Sequence, residues 1–359
     1  TQSTHRMDSM PKASIILCAY KCKKKVLPTI TSILNQTYHD FELIIIDDAS
    51  RDGTAEVIAD IGDTRIRLII NEKNIGVVSS RNKGLKLASG KYITHCDHDD
   101  IWNPKKIEIQ IAAMDTNPTV GLCGTENNIF VNGQFKTTTK APSYLSKFLH
   151  WHLFQDSTFY HSSTMVRASV IKKHNIAYLE GLNFADDWCI YHQYAKVSDI
   201  MILPDALTDY HLHGQNWSLK ASNEMHSNGS FFLRKEINLL TEGKYDEQTV
   251  KDYFSAMIFG SPCVDSETLL KVGEMMHTIY ESFCKKYNPS ENEIDSIKKN
   301  ISERWWRVVS TTANVLGLSA LQLFNAPDTP HWVKPSKFTY LKVFLKVLVK
   351  RIVRFGANK

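Results

Sequence analysis

The segment FELIIIDDASRDGT, residues 41–54, combines a short apolar run with an acidic end and a turn signal. Its first seven residues, FELIIID, are apolar enough to form a strand buried on both faces, as strands of parallel sheets are. The Asp52-Gly53 pair that follows favours a turn. The segment therefore predicts a buried strand that carries Asp47 and Asp48 at its carboxyl end.

Strand-like and helix-like segments alternate on both sides of this run. Further strands are predicted at residues 13–20 (ASIILCAY), 65–70 (RIRLII) and 91–96 (KYITHC), and helices at about 24–35, 54–60 and 77–88. This alternation indicates βαβ units and hence an α/β fold, with a mostly parallel sheet flanked by helices. Ligands of such sheets bind beyond the carboxyl ends of the strands, so we expect the functional site at that edge.

The later part of the chain first continues this pattern and then becomes helical. The predicted order is a helix with Asn103 as N-cap and Pro104 as its first residue, a strand TVGLCGT, a hairpin at Asn132-Gly133 and a mobile polar loop at 136–147. Ser290 with Glu293 predicts a capping box at the head of a long helix that runs toward Phe324. We therefore expect a helical C-terminal module at 221–334.

Composition excludes several classes of protein. An apolar content of 43% over 359 residues is sufficient for a sizeable folded core. The seven cysteines are scattered and form no CxxC pair, which favours a reducing compartment over a disulfide framework or a zinc site. Residues 1–10 lack the apolar core of a signal peptide, and we expect them to be disordered or vector-derived, with Met7 as a candidate native start.

The positive charge is concentrated in the tail. Seven basic residues and no acidic residue fall in 335–359, so the rest of the chain is nearly neutral, which argues against a nucleic-acid-binding groove. Lys342, Lys346, Lys350 and Arg354 recur every four residues among apolar side chains, without an apolar run long enough to span a bilayer. The pattern predicts a basic amphipathic helix on an anionic membrane surface; the alternative is a packing helix with a solvated basic stripe.

An acidic cluster ends the fourth predicted strand. In ITHCDHDDIWNP, residues 93–104, three carboxylates, Asp97, Asp99 and Asp100, fall within four positions. Carboxylates this close repel one another, which predicts a cationic partner; the alternative is a solvated acidic turn. The sequence contains no glycine-rich NAD motif and no P-loop, so neither of those ligand classes is indicated.

Four segments carry a family resemblance. They are ASIILCAY, SILNQTYHDFELIIIDDASRDGT, NIGVVSSRNKGLKLASGKYITHCDHDD and FADDWCIYHQYAK. In this order they resemble the family 2 glycosyltransferases over about residues 13–218, and a series of motifs in register is far more specific than any one motif. That family has the GT-A fold and transfers sugars from nucleotide sugars. The resemblance does not extend over the helical remainder.

The resemblance implies a divalent cation, Mn²⁺ or Mg²⁺, at a D-x-D motif. Asp97-His98-Asp99 fills this motif, with Asp99 as the direct metal ligand, Asp97 contacting the ribose or a metal-bound water, and Asp100 supporting the loop. The segment YHLHGQNWS is similar to the family's closing loop, in which His213 is expected to bind the metal or the diphosphate; a simple polar contact is the alternative. Hard oxygen ligands suit a cation that stabilises a departing diphosphate.

The resemblance also implies a nucleotide pocket. Its expected members are Ala19, Tyr20, Asp47 or Asp48, Arg81, Asn82 and Asp97. A turn cap is the alternative for the Asp pair, and a surface helix position is the alternative for Arg81. The neighbouring basic run is expected to be a solvated helix start without a catalytic role: Lys21, Lys23, Lys24 and Lys25.

An acidic pair at the head of a helix is implied to supply the catalytic base of an inverting transfer. Asp187 aligns with the base, and Asp186 replaces the family's usual Glu, so the choice between the two carboxylates stays open. A helix N-terminus would lower the pKa of the base, and burial or positioning must then compensate. Two ordinary first-turn acids are the alternative.

The acceptor side is implied by the segment YHSSTMVR and by two tryptophans. The residues expected to contact the acceptor are His161, Ser162, Trp188 and Trp217. Trp217 has two interpretations, stacking on a sugar or packing in the core. His211 stands where the family commonly has an arginine.

The resemblance as a whole implies a hexosyl- or N-acetylhexosaminyltransferase that moves one sugar from a UDP-sugar to a glycan or lipid-linked acceptor. Lipooligosaccharide, capsule and teichoic acid are the bacterial surface products considered. The expected domains are a nucleotide-sugar-binding half at 11–135 and an acceptor-binding half at 136–220, followed by the helical module and the tail. The location expected from the tail is cytoplasmic, peripheral on the inner face of the membrane.

Two other functions stay open at this point. One is a catalytically silent module that binds sugar nucleotides or glycans. The other is a sugar nucleotidyltransferase, although the glycine-rich activating loop of those enzymes is missing from the sequence. The Q-x-x-R-W motif of processive synthases is missing as well, which favours single-sugar addition.

Overall fold

The computed structural model describes residues 10–182, 185–213 and 222–356, apart from the side chains of 222–228 and 350–356. Two compact units make up the chain. The first contains Thr1–Leu153 and Ser157–Gly229, and the second contains Phe154–Asp156 and Ser230–Lys359. The expectations for residues 1–9 and for Trp217 lie outside the described residues.

The first half of the first unit has the predicted alternation of strands and helices. Its strands are β1 (Ala13–Ala19), β2 (Phe41–Asp47), β3 (Ile66–Ile70) and β4 (Tyr92–Asp97), and its helices are α1 (Val26–Leu34), α2 (Thr54–Ala59) and α3 (Val77–Leu87). All four strands run parallel, and Cys18 of β1 lies between Ile46 of β2 and Asp97 of β4. The carboxyl ends of these strands therefore meet at one edge of the sheet, as predicted.

The second half of this unit adds strands to the same sheet. Its elements are β5 (Ile101–Trp102), α4 (Lys106–Thr116), β6 (Val120–Val131), β7 (Gln134–Thr138), α5 (Ser146–Leu153), a 3₁₀ turn His161–Ser163, β8 (Met165–Arg167), α6 (Ala168–His174), α7 (Asp186–Val197) and β9 (Asp199–Leu212). Among the described residues the strand order is β3-β2-β1-β4-β8-β6-β9-β5, with β7 paired to β6. The short β8 runs antiparallel to both β4 and β6, and this places the 3₁₀ turn just before it near the end of β4.

Helices cover both faces of the sheet, and the alternation of side chains along β1 decides which residues meet them. Ile15 and Leu17 belong to a core that also contains buried residues of α1 and α4. Ile16 belongs to a second core with buried residues of α5 and α7. Helix α3 lies close to this second face, because a Cβ on Gly84 would come within 2.5 Å of Ile16 Cγ2. The close approach brings Arg81, one turn earlier in α3, to the edge of the sheet.

Two local predictions differ from the structure. Helix α4 begins at Lys106, not at Pro104, because the Asn103 side chain and carbonyl first accept hydrogen bonds from Lys105 N and Lys106 N at 3.0 Å. Strand β7 occupies the first part of the polar segment predicted as a loop. Its Thr137 and Thr138 pair with β6 across the Asn132-Gly133 turn, so hairpin pairing overrides the polar composition.

The second unit is helical. Helix α8 (Ser222–Leu240) enters it, and the remaining helices are α9 (Glu247–Met257), α10 (Ser266–Tyr287), α11 (Glu291–Leu316), α12 (Leu318–Gln322) and α13 (Lys337–Gly356). The capping box of Ser290 and Glu293 is confirmed at the start of α11. The predicted long helix ends at Leu316, because Gly317 breaks it with a φ of 78°. None of the described helices is both long enough and apolar enough to cross a membrane.

Candidate active site

The acidic turn after β4 is organised by the 3₁₀ turn that precedes β8. Asp97 N donates to Ser162 Oγ at 2.9 Å, and the Ser162 hydroxyl donates in turn to the Asp100 carboxylate. His211 N donates to the other oxygen of Asp100 at 3.3 Å. Burial, with the Asp97 charge, raises the pKa of Asp100 well above its ordinary value. Asp100 therefore supports the turn through these two hydrogen bonds, which is the role that the family resemblance implied.

Arg81 connects the acidic turn to the start of α7. Its guanidinium donates from Nη2 to Asp97 Oδ1 at 3.0 Å and from Nη1 to the Asp186 carboxylate. The Arg81 and Asp186 side chains are only 10% and 7% exposed, so this is a buried ion pair. Burial alone would lower the pKa of Arg81, but the charges of Asp186 and Asp97 raise it well above its usual value. Two acidic motifs that are far apart in sequence thus share one permanent cation.

Asp187 lies beside this ion pair but is not part of it. Helix α7 begins at Asp186, after Ala185 in a left-handed conformation with φ 64°. Asp187 Oδ1 accepts a hydrogen bond from Trp188 N at 2.7 Å. Burial, together with the Asp186 charge, raises the pKa of Asp187 above that of an ordinary aspartate. The direction of this shift is opposite to the lowering expected from a helix N-terminus.

His161 faces Asp97. Its Nδ1 lies 3.4 Å from Asp97 Oδ1, and its Nε2 lies 2.8 Å from the Tyr178 hydroxyl. Burial opposes the ionisation of Asp97, but the contact with His161 and the charge of Arg81 hold its pKa well below the usual range. His161 and Ser162, both predicted to contact an acceptor, thus form the wall of the acidic turn. Tyr178 was missed because NIAYLEG carries no motif.

Asp99, His213 and Lys25 form a second contact at this edge. His213 Nε2 lies 3.0 Å from Asp99 Oδ2 and 3.0 Å from Lys25 Nζ. The structure thus brings together two of the three residues predicted to bind a metal, Asp99 and His213, and a lysine for which no role was predicted. Lys25 was missed because it belongs to a basic run that resembles an ordinary solvated helix start.

The side chains at the acidic turn fit a Mg²⁺ or Mn²⁺ site in which the substrate supplies the remaining ligands. No cluster of three or more His, Cys, Asp or Glu side chains with metal-binding geometry occurs in the described part of the chain. Magnesium is commonly bound through one or two carboxylates plus the phosphates of a substrate. The Asp99 carboxylate and the His213 imidazole suit that pattern, with Asp97 two residues away.

The chain has clear relatives. The family model for glycosyl transferase family 2 matches residues 14–174. A relative from Haemophilus influenzae, named an uncharacterized glycosyltransferase, is 31% identical over 244 residues, which are 64% of this chain and 75% of that protein. This chain belongs to glycosyl transferase family 2. The resemblance stated from the sequence motifs is thereby confirmed.

Further comparisons agree with this family 2 glycosyltransferase. WfaP of Escherichia coli, a UDP-Glc:α-D-GlcNAc-diphosphoundecaprenol β-1,3-glucosyltransferase, is 45% identical over 107 residues, which are 30% of this chain and 43% of that protein. The chain thus matches less than half the length of WfaP. S. aureus TarS 1–349 in complex with UDP-GlcNAc is 15% identical with a TM-score of 0.55, over 96% of this chain and 92% of that one. The predicted GT-A fold is confirmed by this likeness.

Two aspartates expected to bind the nucleotide, Asp47 and Asp48, differ in their hydrogen bonds. Asp48 accepts hydrogen bonds from Ile75 N and Gly76 N, both at 2.9 Å, and so holds the loop that leads into α3. Asp47 accepts from Ser50 N at 3.1 Å through Oδ2, while its buried Oδ1 has no hydrogen-bond partner among the described residues. Asp47 therefore has an acceptor atom left for a ligand.

The other residues expected to contact a ligand differ in how far their polar groups are already used in contacts within the protein. Tyr20 is 40% exposed at the end of β1, and the carbonyl of Ala19 accepts a hydrogen bond from Asp48 N at 2.9 Å. Asn82 is used to bind the backbone of Tyr178 through both its oxygen and its nitrogen, each at 2.9 Å. Trp188 donates from Nε1 to Leu153 O at 2.7 Å.

Proposed function

We infer that this glycosyltransferase is a metal-dependent, inverting enzyme that moves one sugar from a UDP-sugar to a hydroxyl of a glycan or lipid-linked acceptor in bacterial surface polysaccharide synthesis. Lipooligosaccharide, capsule and teichoic acid are the product classes. The single observation that carries the proposal is the Arg81 bridge between Asp97 and Asp186. This bridge holds the acidic turn after β4 next to the acidic pair at the head of α7, and so supports the proposal.

The two carboxylates at the head of α7 have different roles in this proposal. Asp186 is engaged in the buried ion pair with Arg81 and is therefore occupied as a structural partner. Asp187 has a raised pKa, which makes its carboxylate a better proton acceptor near neutral pH. Asp187 accordingly takes the proton from the acceptor hydroxyl as that oxygen attacks the anomeric carbon opposite the leaving diphosphate. Attack from that side inverts the configuration.

The acidic turn serves the leaving group. Asp99 and His213, with Asp97, would hold Mn²⁺ or Mg²⁺, which supplies Lewis-acid stabilisation of the charge that develops on the diphosphate. A mannosyltransferase from Pyrobaculum calidifontis in complex with GDP-Man and Mn²⁺ shares the fold, with a TM-score of 0.50 and 13% identity over 98% of this chain and 89% of that one. We assign Tyr20 and the buried, unpaired Oδ1 of Asp47 to the base and ribose.

The donor and acceptor classes follow from the relatives. WfaP is named for UDP-glucose and for an acceptor linked to diphosphoundecaprenol, and the fold of TarS is seen with UDP-GlcNAc. The decisive experiment measures UDP release from UDP-Glc, UDP-Gal, UDP-GlcNAc and UDP-GalNAc, with a diphosphoundecaprenol-linked sugar as acceptor. We expect release from one donor with Mn²⁺ and none with EDTA. UDP binding without release would identify a silent module, and pyrophosphate release from UTP and a sugar 1-phosphate would identify a nucleotidyltransferase.

A lipid-linked acceptor requires access to a membrane, and helix α13 supplies an amphipathic surface of suitable chemistry. Four of its described exposed apolar side chains form a stripe at spacings of three and four: Phe338, Leu341, Leu345 and Val349, which are 77%, 51%, 50% and 58% exposed. Lys342 and Lys346 lie next to this stripe, and no acidic residue occurs in the helix. An apolar stripe flanked by lysines is complementary to an anionic bilayer surface.

Replacing Leu341 and Leu345 together with Ser is expected to weaken binding to vesicles that contain anionic lipid. Both leucines are about half exposed in the structure, so the burial lost is about 2 kcal/mol, which corresponds to roughly thirtyfold. Co-sedimentation with phosphatidylglycerol vesicles measures this, and Val315→Ser, at a 51% exposed position on α11, is the matched control. Equal sedimentation of the double variant and the wild type would argue for a helix that merely packs.

A further inference from the structure

Lys25 differs from the other lysines of its run. Lys21, Lys23 and Lys24 are exposed, whereas Lys25 is partly buried at the N-cap position of α1. Its Nζ lies 3.0 Å from His213 Nε2, across 188 positions of sequence. No carboxylate lies within ion-pair distance of Lys25 in the described part of the chain. Because no described carboxylate neutralises it, the Lys25 ammonium can pair with a negatively charged ligand.

The contacts of His213 Nε2 cannot all be satisfied at once. A ring nitrogen that carries a hydrogen can donate to Asp99 Oδ2 but cannot accept from the Lys25 ammonium. Without the hydrogen it can accept from Lys25, but it then presents a lone pair to the Asp99 carboxylate. Asp99 and Lys25 therefore compete for the same ring nitrogen, and only one of the two can be hydrogen-bonded to it at a time.

The surroundings of Lys25 favour an anionic ligand. The first turn of α1 contains no acidic residue, and no side chain caps its backbone N–H groups. Helix N-termini favour negative charge, and a lysine ammonium is a common point contact for phosphate. Arg81, another cation at this edge, is already paired with Asp97 and Asp186.

We propose that Lys25 binds the diphosphate of the nucleotide-sugar donor and stabilises it as the leaving group. This proposal rests on the proposed function and adds a residue to it. Coordination of a dication by Asp99 and His213 would use the lone pair of His213 Nε2. The Lys25 ammonium, which lies 3.0 Å from that nitrogen, would donate to a phosphate oxygen of the donor. Lys25 thus serves the diphosphate, while Tyr20 and Asp47 serve the nucleoside.

The test compares the binding of UDP and of uridine to purified variants by calorimetry, with Mn²⁺ present. Lys25→Gln is expected to weaken UDP binding about tenfold, the effect of one lost charge-assisted hydrogen bond, and to leave uridine binding unchanged. Lys25→Arg keeps the charge and is expected to stay within about threefold of the wild type for UDP. Lys24→Gln removes the same charge from an exposed neighbour and is the matched control. Lys25→Ala replaces Lys25→Gln if the latter fails to fold.

The outcomes separate this proposal from the function on which it rests. Unchanged UDP affinity in Lys25→Gln, or an equal loss for UDP and uridine, would overturn the role of Lys25 even if sugar transfer is observed. If the wild type binds GDP in place of UDP and Lys25→Gln weakens GDP binding, the UDP assignment fails and the role of Lys25 stands. Failure of the wild type to bind any nucleoside diphosphate would refute both.

Discussion

Replacing Asp187 with Asn is expected to lower kcat by about 10²- to 10⁴-fold and to leave UDP affinity nearly unchanged. The loss is that of a general base, because an amide cannot accept the proton of the acceptor hydroxyl. The amide oxygen can still accept the hydrogen bond from Trp188 N, so the head of α7 is kept. Steady-state transfer assays and UDP calorimetry on the same preparation measure the two effects. Turnover equal to that of the wild type would remove Asp187 from the mechanism.

The raised pKa of Asp187 gives this variant a second, opposite effect. The wild-type base is lost as pH falls through the raised pKa, so transfer declines at a higher pH than an ordinary aspartate would cause. The same shift means that the folded state disfavours the ionised carboxylate, and stability decreases as pH rises through that pKa. At neutral pH we therefore expect Asp187→Asn to unfold at a higher temperature than the wild type. The inactive variant would be the more stable one.

Asp186→Asn is the control for this reasoning, because its carboxylate is paired. Its loss leaves the buried Arg81 guanidinium with one partner fewer. We expect this variant to unfold at a lower temperature than the wild type. A lower unfolding temperature for both variants would show that burial at Asp187 carries no cost, and the argument for its basicity would fail.

Replacing Arg81 with Met is expected to destabilise the first unit by about 3–5 kcal/mol, because it leaves the buried Asp186 carboxylate without its counter-charge. The contact with Asp97 contributes less, since that side chain is 37% exposed and is screened by solvent. Transfer should be lost as well, because the link between the acidic turn and α7 is broken. Urea unfolding at neutral pH measures the loss, and Lys86→Met, exposed on the same helix, is the control.

A double variant and a pH series test the same ion pair in two further ways. Adding Asp186→Asn to Arg81→Met removes the Asp186 charge that Arg81→Met leaves unpaired, and is expected to recover part of the lost stability. Arg81 is also one of the groups that lower the pKa of Asp97, a shift that stabilises the fold at neutral pH and is lost as pH falls. Arg81→Met should therefore lose less of its stability on acidification than the wild type. A destabilisation that the second change does not reduce would contradict the ion-pair explanation.

The sequence predicted the sheet well because burial on both faces leaves a simple apolar signal. Strand β2 has the predicted bounds, Phe41–Asp47. The observed bounds of its two neighbours, β1 and β3, each differ from the predicted bounds by one residue. The hairpin at Asn132-Gly133 was predicted, but its second strand, β7, reaches Thr138, inside the segment predicted as a loop. Its five residues are exposed, and their pairing depends on the hairpin turn more than on their own composition. Regular periodicity and capping signals likewise predicted the helical second unit.

The motifs of the candidate site could be predicted from the sequence, but the contacts between residues from different elements could not. Asp99 and His213 were expected to act together, and they lie in contact. The contacts of Lys25 and Tyr178 could not be predicted, because neither residue stands in a motif and each meets its partner only through the tertiary fold. The pKa shifts of Asp97 and Asp187 depend on burial and on neighbours from several elements, which no local spacing reveals.

The shared sheet has a consequence for how specificity can change in this protein. Strand β6 comes from the half assigned to the donor, yet it pairs with β8 and β9 from the half assigned to the acceptor. A recombination crossover at residue 135 would therefore separate strands that must match in register, and most such chimeras would not fold. New acceptors are more readily acquired by substitutions in the loops at the carboxyl edge than by exchange of whole halves.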